Sequence, residues 1–162
     1  MSDGERVQQL IYDWIERNYP DGPNWYGRPA MEAPPLEIRM IPACGTIEYN
    51  LSNGGWAQFL WNCFNDWREI IDVAREGYLL IGAPEQSAAL NMLWTLCERD
   101  ERECREALEQ PTWLFAEFTS RSYSAPPNDW EDLFCDRDIY EKRLAWLAAN
   151  EGRVRKAMGV LD

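Results

Sequence analysis

The apolar residues of this chain recur at intervals of three and four, and that spacing leaves little choice of secondary structure. Val7, Leu10, Ile11, Trp14 and Ile15 form one stripe. An α-helix gathers such a stripe onto a single face, whereas a strand scatters it over two. Ser2 followed by Glu5 opens the segment as a capping box, and Pro20 closes it soon after Asn18. Trp56, Phe59, Leu60, Cys63, Phe64 and Trp67 make a second stripe, and Ala88, Ala89, Met92, Leu93 and Leu96 a third. Breakers punctuate the stripes at Gly54-Gly55, at Gly82-Ala83-Pro84 and at Pro111. The pattern predicts an all-α fold, a single compact multi-helix domain over residues 1–162. Within it, residues 19–35, with five prolines and two glycines, form a loop that Trp25 and Tyr26 anchor to the core.

Finer boundaries follow from the same signals. Leu36–Met40 alternates apolar and charged residues, which suits a short strand or a helix starting at Pro35. Pro42 at a first helical turn would begin a helix to about Ser52. A helix from Trp56 to Trp67 runs on through Arg68–Ile81, and another covers Glu85–Glu98. The charged run Glu98–Gln110 ends at Pro111, Arg121–Asn128 reads as a loop, and Asp129–Asn150 as one or two helices. Arg153, Arg155 and Lys156 suit the negative end of a last helix.

Composition narrows the chemistry. The chain has no histidine, so Ser-His-Asp and Cys-His nucleophile systems cannot be built. The five cysteines, Cys44, Cys63, Cys97, Cys104 and Cys135, never form CxxC and read as reduced thiols of a cytoplasmic protein. The polar, acidic start of the chain resembles neither a signal nor a transit peptide, and no stretch is long and apolar enough for a membrane span. A GxxxxGK[ST] or GxGxxG pattern is absent, and the only lysines are Lys142 and Lys156. Gly54-Gly55 therefore reads as a helix–helix corner rather than a phosphate loop. Gly54 would take the positive φ, and Gly55 would permit close approach. Asp136 and Asp138 form a short DxD, too weak a pattern to argue a metal site.

Acidity is the loudest signal. The net charge is −12. Residues 1–50, 51–100 and 101–162 hold 4, 3 and 9 basic residues against 8, 7 and 13 acidic ones, so each stretch carries −4. A charge spread over the whole domain repels nucleic acid and anionic membranes and attracts basic proteins. Two clusters stand out: Glu98, Asp100, Glu101, Glu103, Glu106 and Glu109, then Asp129, Glu131, Asp132, Asp136, Asp138 and Glu141. The first is interleaved with arginines and reads first as a solvated face of intrahelical ion pairs, with partner binding as the second reading. Carboxylates three or four residues apart on a helix lie roughly 5–6 Å from one another, an interval comparable with phosphate spacing along a strand. The nine tryptophans have no basic groove beside them for base stacking, so they read as core, with one or two at an interface.

The stretch Asn50–Asn62, "NLSNGGWAQFLWN", resembles the DMP-type family of bacterial DNA-mimic proteins. Asn53, Gly54, Gly55, Trp56, Gln58, Phe59 and Asn62 match its motif, NGG followed by aromatic-x-Q-aromatic-x-x-N. "YLLIGAP", "WEDLFCDRD" and "YEKRLAWLAAN" resemble its later helices, and the likeness covers about residues 36–150. Asn50 stands where the family has an acid, and Ser52 where it has Asn. The resemblance implies an acidic all-α homodimer without cofactor or catalytic residues, like the characterised member that binds a DNA-binding repressor by presenting DNA-like charge. The expected function is inhibition or sequestration of a basic DNA- or RNA-binding protein (a repressor, nuclease or phage-defence component), with no direct nucleic-acid contact. The alternative is an immunity protein blocking one toxin enzyme through aromatic anchors such as Trp130. Gln58 and Asn62, four apart, are expected to bond the backbone of the preceding turn.

Overall fold

A computed structural model describes residues 1–23, 25–27, 32–112, 114–124 and 129–160. Among them the secondary structure is helical throughout, without strands. The helices are α1 (Asp3–Asn18), α2 (Leu36–Asn62), α3 (Trp67–Leu80), α4 (Pro84–Leu108), α5 (Phe115–Thr119), α6 (Arg121–Ser124), α7 (Asp129–Cys135), α8 (Arg137–Ala149) and α9 (Glu151–Ala157). The all-α expectation holds.

α1 begins as its residues dictate. Ser2 accepts from the Glu5 amide, and the Glu5 carboxylate accepts from the Ser2 amide. The buried edge, Val7, Ile11 and Ile15, faces the core, and α1 packs against α8. Contact there is so close that a Cβ on Gly4 would collide with the Leu144 carbonyl. Arg6 clasps Glu151 with two hydrogen bonds of 3.0 and 2.6 Å, and the Trp14 indole donates to the Met158 carbonyl at 2.9 Å. The loop after α1 is anchored as expected. Trp25 is buried and packs edge-on to Tyr19 at 5.1 Å, while the Gly27 amide donates to Glu69 at 2.7 Å. Its residues 24 and 28–31 lie outside the described part, as do Trp113 and residues 125–128 of the expected 121–128 loop.

α2 is the central element, and of the readings for its start the helix at Pro35 is the one that forms. Neither a strand at Leu36–Met40 nor a fresh start at Pro42 occurs. One helix begins after Pro35 and passes through Pro42. Proline cannot donate to the carbonyl four residues back, which costs about 3 kcal/mol in a helix interior. Ile38, Ile41, Ile47 and Leu51 are nevertheless all buried at helical spacing across it, and burying each such side chain stabilises by about 1.5–3 kcal/mol. The apolar period outweighs the breaker.

Other boundaries shift for equally local reasons. The helix expected to run from Trp56 through Ile81 is interrupted by a turn at residues 63–66. α3 then starts afresh at Trp67, whose ring packs edge-on to Trp94 of α4 at 5.0 Å. The segments 85–98 and 98–110 fuse into α4, because Cys97, Asp100 and Cys104 continue its buried edge. Arg121–Ser124, expected as loop, is the short helix α6. Asp136 divides α7 from α8 by capping the latter, its carboxylate accepting from the Asp138 amide at 3.0 Å. That cap is where the DxD pattern is used. Described tryptophans are buried or half-buried, none exposed, and the cysteines are free thiols. No helix among the described residues is long and apolar enough to cross a membrane.

Candidate partner-binding surface

The glycine pair sits inside α2 as a break in its course. Gly55 has φ 74° and ψ −169°, a conformation open to glycine and strained for other residues. Gly54 has no positive φ, so the two glycines exchange the roles expected of them. At Gly54 the need is space, since a Cβ there would collide with Gln58 Oε1 and meet Gln58 Cβ at 2.9 Å.

Breaking the helix at Gly55 gives its second half a new N-terminus with unsatisfied amides. The Trp56 amide donates to the Glu131 carboxylate and the Ala57 amide to the Ser122 hydroxyl, each at 2.9 Å. The corner thus does hold an anion at a helix N-terminus, and the anion is the chain's own Glu131. Trp56 and Phe59 fill the core beneath. Asn53 turns back to the Tyr49 carbonyl at 2.6 Å.

Gln58 and Asn62 do not bond the preceding turn's backbone. Both donate to Oδ1 of the buried Asn50, at 3.4 and 2.8 Å, and Asn50 donates in turn to the Thr46 carbonyl at 2.8 Å. The break at Gly55 brings the two amides back over the first half of α2, so an acceptor at position 50 satisfies both. An acid there could accept the same two bonds. A second buried network lies nearby, where Arg143 and the Tyr78 hydroxyl both donate to Glu48 Oε1. It pins α8 and α3 to α2.

The first acidic cluster divides by depth on α4. Asp100 is buried: burial pushes its carboxyl up, but the Arg99 hydrogen bond and the charges of Arg99 and Arg121 outweigh this and hold it below the ordinary range. Glu101 takes two hydrogen bonds from Arg68, at 2.7 and 2.9 Å, and one from the Trp67 indole at 3.3 Å. The Arg68 bonds above all hold it down at about 2, against partial burial. Glu103 is half-buried beside Arg102 at 3.0 Å. Glu98, Glu106 and Glu109 are exposed. Of these only Glu106 has an ion-pair partner among the described residues, Arg102 at 4.0 Å.

The second cluster divides by engagement rather than depth, since Glu131 is half-buried whereas Asp136 and Glu141 are exposed. Glu131 is the helix cap at Gly55, Asp136 caps α8, and Glu141 pairs with Arg137 at 3.2 Å. Asp129, Asp132 and Asp138 are exposed and make no ion pair among the described residues. Asp129 and Asp132 are one turn apart on α7. α6 ties the clusters to one corner: Arg121 reaches Asp100 of the first, and adjacent Ser122 caps the amide next to the one held by Glu131 of the second.

Motif and break thus sit in a fold that is all-α among the described residues. The sequence matches the family described as DMP19-like protein over residues 32–150, well over half of the chain, and the chain belongs to that family. No curated protein and no solved structure matches it.

Four residues outside the predicted set shape this surface: Asn50, Arg68, Arg121 and Ser122. Asn50 had a signal, since a buried amide on an apolar helix needs partners and two amides follow at +8 and +12. The other three act across long sequence separations that spacing does not reveal.

Proposed function

We propose that this protein binds a basic nucleic-acid-binding protein and withholds it from its nucleic acid by offering carboxylates in place of phosphates. The observation that carries the reading is the division within each cluster. Buried and half-buried acids are consumed by arginines and helix ends, while Glu98, Glu106, Glu109, Asp129, Asp132 and Asp138 face solvent, most without a counter-charge. Ion pairs absorbed within the fold leave a net negative exterior, which steers a cationic partner and exchanges with its phosphate contacts. Membership of a DNA-mimic family supports the same reading. The immunity alternative gains nothing from Trp130, which is half-buried and packs edge-on to Phe134 at 6.3 Å.

The test is capture of a basic DNA- or RNA-binding protein by the wild-type chain and by a variant carrying Glu106→Gln, Glu109→Gln, Asp129→Asn, Asp132→Asn and Asp138→Asn. Wild type is expected to retain the partner at low salt and lose it as salt rises, and the variant to fail at all salt concentrations. Equal capture by both refutes the proposal.

A further inference from the structure

Between the C-terminal half of α4 and α5 runs a groove of about 300 Å³. Its lining combines apolar Ala107, Leu114 and Phe118 with Glu103, Glu106 and Gln110 and with Glu117 of α5. Arg121 also lines it, but its guanidinium is already engaged, 3.4 Å from Asp100 and 4.9 Å above the Phe118 ring. Glu117 makes no ion pair among the described residues, and Oε2 of Glu103 has no hydrogen-bond partner.

We propose that this groove receives one arginine side chain of a protein partner, its methylene stem on the apolar lining and its guanidinium between Glu106 and Glu117. The inference rests on the partner-binding reading above and names the group that enters. Charge complementarity selects a cation, and the apolar lining selects one with an apolar stem. Between the two basic side chains, arginine fits better. Its guanidinium is weakly hydrated, bonds two carboxylates in one plane and stacks on aromatic rings, as Arg121 already does on Phe118. Of the two clusters only the first contributes to such a groove, together with Glu117 of α5; the exposed acids of α7 and α8 would act at longer range.

The experiment is an NMR titration of the ¹⁵N-labelled protein with the blocked tripeptides acetyl-Gly-Arg-Gly-amide and acetyl-Gly-Lys-Gly-amide at matched ionic strength. Saturable shifts confined to the amides of Ala107, Gln110, Glu117 and Phe118, larger for the arginine peptide, are expected. The exposed pair Glu106→Gln and Glu117→Gln should weaken binding about three- to tenfold, as for loss of two partly solvated ion pairs. Ala107→Trp, which fills the groove and leaves charge unchanged, should abolish the shifts. If that variant does not fold, the Gln pair decides alone. Equal response to both peptides, or shifts spread over Asp129–Glu141 and unchanged in the Gln pair, would overturn the groove while leaving general acidic binding intact. Failure to capture any basic partner would strike at the parent reading without touching the peptide result.

Discussion

Replacing Gly55 by alanine should destabilise this protein far more than a single added methyl suggests. Two costs add at this position. The backbone, with φ 74° and ψ −169°, lies where residues other than glycine carry about 1–3 kcal/mol of strain. The new Cβ would also fall 2.7 Å from Ser122 Cβ, 2.8 Å from Ser122 Oγ and 3.2 Å from a Glu131 oxygen. These are the side chains that cap the Ala57 and Trp56 amides. Pushing them away forfeits a helix cap, worth about 0.5–2 kcal/mol. The sum is about 1.5–5 kcal/mol. Gly82 is the control, with φ 75° and nothing within 4 Å of an added methyl, so Gly82→Ala carries only the left-handed strain of about 1–2 kcal/mol. Urea denaturation of wild type and both variants measures the difference, provided the slope of stability against urea is unchanged. If Gly55→Ala costs no more than Gly82→Ala, the corner is not held by Ser122 and Glu131 and the reasoning fails.

Asn50→Leu leaves the Gln58 and Asn62 amides without their shared acceptor and should cost about 1–3 kcal/mol in the same assay. Arg143→Ala strands Glu48, a carboxylate only 14% exposed, and should cost about 3–5 kcal/mol, more than the double change to Met at 143 and Gln at 48. Arg68 holds the folded-state Glu101 carboxyl at about 2, below its ordinary value of 4.5. A lowered folded value stabilises above the unfolded value, and that contribution disappears as pH falls from about 4.5 towards 2. Arg68→Met should therefore reduce stability at pH 7 and flatten its decline below pH 4.5, as followed by thermal melts across pH.

The legible parts of this fold were the ones written in local spacing. Val7, Ile11 and Ile15 announced α1, Ser2 and Glu5 its cap, and Trp25 the anchor of its loop, because each acts within a few residues of itself. Pro42 misled, since a breaker is visible in sequence while the burial of Ile38 and Leu51 that overrides it is not. The glycine pair spells a corner in the sequence, but its two members take the reverse of the roles their order suggests. Which glycine turns and which yields space depends on Gln58, Ser122 and Glu131 arriving from different directions. The acidic clusters were visible as composition, but their division into buried and exposed members was not. Asp100 and Glu106 look alike in sequence; Arg99 and Arg121 hold the first inside, and the second faces water.

If exposed carboxylates stand in for phosphates, nucleic acid must compete with this protein for the same partner. The native partner, captured on immobilised protein, is challenged with duplex DNA at constant ionic strength, with an uncharged polymer as control. DNA is expected to release the partner in a concentration-dependent way, the released protein to be itself a nucleic-acid binder, and added salt to lower retention steeply. A partner that stays bound through excess DNA and high salt, and binds the five-fold neutralised variant as well as wild type, would contradict it.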